Sequence, residues 1–87
     1  MNSIADECIA LIAKQKSITP DQIRLESTFD ELALDSLDRV SLAFDIEEKY
    51  DIEIPEDRLG RIRTVRDMVT GIEEALRRKG AASQANA

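Results

Sequence analysis

Residues 35–50 read Asp-Ser-Leu-Asp-Arg-Val-Ser-Leu-Ala-Phe-Asp-Ile-Glu-Glu-Lys-Tyr. Wound into a helix of about 3.6 residues per turn, Leu42, Ala43, Ile46 and Tyr50 gather on one side, and Leu37, Val40 and Phe44 gather on a neighbouring one. Asp38, Ser41, Asp45 and Glu48 fill the polar flank. A small bundle needs only one apolar stripe to close its core. The second stripe predicts a surface that meets another molecule. Asp35 suits the N-cap of this helix, and Asp38 in the first turn complements the positive end of its dipole.

Ser36 stands at the mouth of the same helix, where backbone N–H groups lack partners and an anion is favoured. A phosphate ester on Ser36 would be held by groups already present. Serine at such a place commonly serves as a plain cap, but Asp35 can do that work and leave the Ser36 hydroxyl spare. Nucleophilic catalysis by Ser36 is disfavoured. The chain has no histidine to act as its base, Lys14, Lys16, Lys49 and Lys79 sit in no recognisable motif, and Asp35 and Asp38 would repel an oxyanion.

Outward from this helix, residues 3–15 predict a first helix with Ile4, Ala5, Cys8, Ile9, Leu11 and Ile12 on one broad face. Residues 16–34 form a long connection that Ile18, Ile23, Leu25, Phe29, Leu32 and Leu34 pin to the core. Thr19-Pro20 starts a helical turn within it, and Thr28-Phe29-Asp30-Glu31 matches a capping box for another. Residues 51–55 make an extended connector, and a short helix runs from Glu56 to Arg61. Thr64 caps a last helix over 65–79, with Val65, Met68, Val69, Ile72, Ala75 and Leu76 inward, Arg77, Arg78 and Lys79 at its C-terminus and Gly80 as its stop. The reading is an all-α fold of three main helices and one short one with a long first loop. It forms a single domain over 1–80, and residues 81–87 form a flexible tail.

The 87 residues suffice for one core, and at 43% hydrophobic and 3% aromatic that core must be aliphatic. The net charge of −6 is unevenly placed. Residues 30–57 hold eleven acids against two bases, whereas 58–87 hold three acids against seven bases. The acidic block argues against nucleic acid and for partners with basic patches. With no histidine and one cysteine, no disulfide framework, Cys/His zinc site or Cys-His pair can be built, and Cys8 reads as a small buried hydrophobe. No apolar run approaches the ~20 residues of a membrane span. The N-terminus shows no signal-peptide pattern, and the lack of disulfides fits a cytoplasmic setting.

Asp35-Ser36-Leu37-Asp38, the amphipathic helix running through Glu47-Glu48-Lys49-Tyr50, and Ile54-Pro55-Glu56 resemble the acyl carrier protein family over nearly the whole chain. The resemblance implies an acyl-carrier-like four-helix bundle with 4′-phosphopantetheine attached to Ser36. The thiol of that arm holds acyl groups as thioesters for enzymes of fatty-acid, lipid or polyketide biosynthesis, so the cofactor supplies the reactive group that the protein lacks. By the same resemblance Asp35 assists the Mg²⁺-dependent modifying transferase. Leu37, Val40 and Phe44 form the docking stripe, and Asp38, Arg39, Glu47, Glu48, Glu56 and Asp57 belong to the partner-docking surface. The partners implied are a phosphopantetheinyl transferase and acyl-activating, synthase and acyltransferase enzymes, served by a monomeric carrier that is not itself an enzyme and uses no metal site.

This sequence departs from the family at Ala33, where a glycine is common, at Arg39, where a neutral or acidic residue is more usual, and at the basic cluster Arg58, Arg61, Arg63 and Arg66. The cluster suggests a specialised carrier with dedicated partners. A peptidyl or aryl carrier module is the nearer alternative, although the chain lacks the Gly-Gly those modules often show before the serine. An unmodified helical interaction domain using Leu37, Val40 and Phe44 as a plain groove is the farther one. A calcium-binding helix pair fails for want of alternating Asp/Asn ligands around a central glycine.

Overall fold

The computed structural model describes residues 3–85, with side chains described for 3–80. Four α-helices follow in order: α1 (Ile4–Lys16), α2 (Ser36–Tyr50), α3 (Glu56–Leu59) and α4 (Val65–Ala85), with a 3₁₀ turn at Pro20–Gln22 in the first loop. No strand forms among the described residues beyond an isolated antiparallel bridge between Thr28 and Thr64. No helix among them is long and apolar enough to cross a membrane.

The core assembles as the apolar spacing predicts. Cys8 and Ile12 of α1, Leu42 and Ile46 of α2, and Val65, Met68 and Ile72 of α4 are buried, with Ile23, Phe29 and Leu34 dipping in from the loop. Ile18, Leu25 and Leu32 pack against this cluster half-buried. Cys8 has no exposed surface, and burial pushes its thiol up to about 12.

The long loop is fixed by the first turn of α4. The N–H groups of Val65 and Arg66, unpaired in any helix start, donate to the carbonyls of Ser27 and Leu25 at 3.1 and 2.9 Å. The Phe29 N–H returns a bond to the Arg63 carbonyl at 2.8 Å. Thr64 and Asp67 close a reciprocal box over the same turn, with the Asp67 N–H donating to Thr64 Oγ1 at 3.1 Å and the Thr64 N–H to Asp67 Oδ2 at 3.2 Å. The Thr28–Glu31 box forms as its spacing predicts, yet the segment stays a series of turns, not a helix. Its Phe29 N–H is already committed to the Arg63 carbonyl, just ahead of α4.

Two boundaries differ from the sequence expectation. The short helix ends at Leu59, ahead of Arg61, and Gly60 follows it. Gly80 does not stop α4, whose backbone runs on to Ala85. Gly80 lacks the left-handed φ that a terminating glycine adopts, and Ala81 and Ala82, strong helix formers, outweigh the ~1 kcal/mol that a helical glycine costs. The expected tail is thus helical over 81–85, and residues 86–87 lie outside the described residues.

The left-handed backbone falls on Ser17 and Asp51, which end α1 and α2, and on Ala33, with φ 58°. Ala33 occupies the bend that turns the loop into α2, and its carbonyl accepts a hydrogen bond from Lys16 Nζ at 2.9 Å. A β-carbon in this region costs about 1–2 kcal/mol, which glycine avoids. Part of that gain is lost to the freer unfolded chain of a glycine variant. Ala33→Gly is therefore expected to raise stability by about 0.5–1 kcal/mol, read as a higher urea midpoint at unchanged slope.

Candidate functional site

The mouth of α2 is built by a reciprocal pair. Asp35 Oδ1 accepts the Asp38 N–H at 2.8 Å, and Asp38 Oδ2 accepts the Asp35 N–H at 3.2 Å. Asp35 is thus the cap, as its position in the sequence predicts. Ser36 is exposed, and its hydroxyl makes no hydrogen bond among the described residues. The N–H groups of Ser36 and Leu37 are likewise unspent. The contrast with α4 is direct: there the loop consumes the first two donors, and here they stay open beside a free hydroxyl.

Asp38, expected among the docking acids, has partners within the fold. Gln15 Nε2 donates to its carboxylate at 3.1 Å and to its backbone carbonyl at 2.9 Å, and Lys16 Nζ lies 3.3 Å from Oδ2. The Gln15 hydrogen bond, followed by that from the Asp35 backbone, holds its carboxyl below the ordinary aspartate range. The last turn of α1 therefore clamps the first turn of α2. Gln15 and Lys16 are the site residues that sequence reasoning missed, since nothing local ties them to a partner more than twenty positions away.

Two further residues of the expected docking surface have internal partners. Arg39 turns toward the loop: its guanidinium lies 5.1 Å from the centre of the Phe29 ring and 3.7 Å from Asp30. Glu47 is half-buried and accepts the Ile54 N–H at 2.8 Å, which secures the connector after α2. Glu48, Glu56 and Asp57 are exposed, as expected of docking acids, and Asp45 joins them from the polar flank of α2.

The second stripe is open. Leu37 is 78% exposed, Val40 39% and Phe44 64%, and these are the exposed large hydrophobics among the described residues. A separate groove of about 390 Å³ lies between the α3 region and α4, floored by Ile54, Ile62, Met68 and Ile72 and edged by Arg61 and Arg78. The Arg58–Glu74 ion pair spans it from α3 to α4. No group of His, Cys, Asp and Glu able to hold a metal is found among the described residues.

Because the Asp38 carboxyl is acidified by folding, its stabilisation is complete above the ordinary aspartate value near pH ~4 and is lost as pH falls through its lower folded value. Asp38→Asn is expected to lower stability at neutral pH and to flatten the acid limb of the stability–pH curve. A residual limb should remain from Glu74, held low by Arg58, and from Glu31, held low by Thr28. Urea unfolding across pH 3–7 checks this.

The sequence family described as "Phosphopantetheine attachment site" matches residues 7–72. An acyl carrier protein of Sulfurovum sp. is 39% identical over 72 residues, covering 82% of this chain and 96% of that one. One from Chlamydia trachomatis is 37% identical over 73 residues, covering 83% and 95%. Among solved structures, an acyl carrier protein from Thermotoga maritima superposes with a TM-score of 0.64 at 28% identity, covering 83% of this chain and 93% of that one. The mupirocin didomain ACP gives 0.77 at 26% identity, covering 85% of this chain and 40% of that one. Helical bundle, acidic second helix, unspent serine and the match to a phosphopantetheine attachment site meet in one assignment: the chain belongs to the acyl carrier protein family, whose members tether acyl groups on phosphopantetheine.

Proposed function

We propose that Ser36 carries the 4′-phosphopantetheine arm and that the protein delivers acyl groups to biosynthetic enzymes as a monomeric, cytoplasmic carrier without catalysis of its own. The observation that carries this reading is the unspent Ser36 hydroxyl beside the free N–H groups of Ser36 and Leu37, with Asp35 already serving as cap. These donors and the positive end of α2 suit a phosphodiester at this place. When bound, the arm supplies a terminal thiol that holds the acyl group. The chain's own residues position and present it: Gln15 and Lys16 hold the mouth of α2 still through Asp38, and the exposed stripe is offered to partners.

Leu37 and Phe44 are the apolar anchors of that presentation, and the exposed Asp45, Glu48, Glu56 and Asp57 serve basic patches on a phosphopantetheinyl transferase and on acyl-activating, synthase and acyltransferase enzymes. Each exposed ion pair is worth only about 0.2–1 kcal/mol. Together such charges speed and orient encounter more than they tighten it, which suits a carrier that must let go. The aliphatic core and the groove over Ile62 and Met68 are compatible with sheltering an acyl chain. The single fold built over residues 3–80 supports a one-domain carrier.

Co-expression with a phosphopantetheinyl transferase and intact-mass measurement tests the assignment. The wild type should gain the mass of one phosphopantetheinyl group and Ser36→Ala none. An adduct that persists in Ser36→Ala would place the arm on another residue, and none with any of several transferases would favour an unmodified interaction domain. Thiol titration gives an independent check. The apo protein should react slowly, because Cys8 is buried and its thiol is pushed to about 12, whereas the modified protein should show one fast thiol.

Phe44→Ala and Leu37→Ala remove exposed side chains. Each is expected to leave the melting temperature nearly unchanged while lowering kcat/KM of a partner enzyme roughly tenfold or more, the loss typical of a central apolar anchor.

A further inference from the structure

We propose that Arg39 is the counter-ion of the phosphodiester on Ser36, exchanging Asp30 for the phosphate when the arm is attached. This rests on Ser36 being the attachment point. Arg39 stands three residues after Ser36, one turn along the same flank of α2. Helical side chains lean toward the N-terminus, so from the loop, where its guanidinium lies against Phe29, Arg39 has the turn that holds Asp35 and Ser36 within reach.

Its present bonding is incomplete. The pair with Asp30 is 3.7 Å long, well beyond the ~2.7–2.9 Å of a charge-assisted hydrogen bond, and the Asp30 side chain is 97% exposed. Arg39 Nε is buried with no acceptor. The Phe29 ring lies against the guanidinium, 5.1 Å from its centre. The side chain is thus positioned but not spent.

The local charge requires such a partner. Asp35 and Asp38 stand at the mouth of α2, Asp30 lies beside Arg39, and a phosphodiester adds another negative charge. Lys16 is occupied by Asp38 and by the Ala33 carbonyl, and Lys49, at the far end of α2, is paired with Glu7 at 2.9 Å. Arg39 is the remaining cation of the block 30–57. Its planar fork matches two phosphate oxygens at once, which an ammonium group does not. The exchange would hold the root of the arm against α2 and release Asp30, so that the loop around Phe29 reports loading.

The test uses the full chain in apo and phosphopantetheinylated forms, with the adduct verified by intact mass. In ¹⁵N-labelled wild type, the Arg39 Nε–Hε resonance should move more than that of any other arginine on loading, and a scalar coupling between Arg39 nitrogen and the arm's ³¹P should appear. Arg39→Gln should still accept the adduct but lose any stabilisation that loading gives the wild type, and Arg39→Lys should recover part of it. Asp30→Asn should shift the Arg39 signal in the apo form and leave it unchanged in the loaded form. An Arg39 resonance that stays put on loading, with equal loaded-minus-apo melting shifts in wild type and Arg39→Gln, would overturn the inference. Failure of the wild type to gain any adduct would instead remove the Ser36 assignment on which it stands, and the mass alone distinguishes the two.

Discussion

The clamp of Gln15 and Lys16 on Asp38 is the contact on which the site depends. It joins the end of one helix to the start of the next, the two ends of a loop of nearly twenty residues. Without it, the first turn of α2 would lose its polar tie to α1, and the Lys49–Glu7 pair at the far end of α2 would be the ion pair left between the two helices among the described residues. The clamp also leaves the Asp35–Asp38 box with a single arrangement, because both carboxylates are already committed. The Ser36 hydroxyl gains a fixed position without being a partner in any of these bonds.

The two helix starts that meet the long loop, those of α2 and α4, illustrate opposite uses of the same physics. Every helix start has unpaired N–H groups. At α4 they are consumed by the carbonyls of Leu25 and Ser27, and the result is structural: the loop is tied down. At α2 the first two remain unspent, and the result is a site. The middle acidic block divides in a similar way. Glu31, Asp35, Asp38 and Glu47 satisfy backbone groups, Asp51 takes Lys79, and the field offered to a partner comes from a smaller set that includes Asp45, Glu48, Glu56 and Asp57. Counting acids along the sequence therefore overstates the charge available for docking.

Much of this was legible from spacing. The double stripe of α2 separates into buried Leu42 and Ile46 and open Leu37 and Phe44, because a helix has only one face to give to so small a core. The pinned loop and its buried Ile23, Phe29 and Leu34 were legible for the same reason. Roles set by distant partners were not: Asp38 and Glu47 read as free acids and Arg39 as a docking residue, because Gln15, Ile54 and Phe29 are remote in sequence or unmarked by pattern. Gly80 misled because a glycine ends a helix only where the backbone turns left-handed, and propensity alone does not say where that happens. Ala33 shows the converse, a left-handed bend on a residue that carries a β-carbon.

The most direct measurement is site localisation by tandem mass spectrometry on protein purified from the cells that make it. Cleavage after Arg24 and Arg39 releases a peptide, residues 25–39, that contains both Ser27 and Ser36. Fragment ions carrying the phosphopantetheinyl mass from Ser36 onward, with Ser27 unmodified, are the predicted result. The mass on Ser27, or an unmodified peptide throughout, would contradict it.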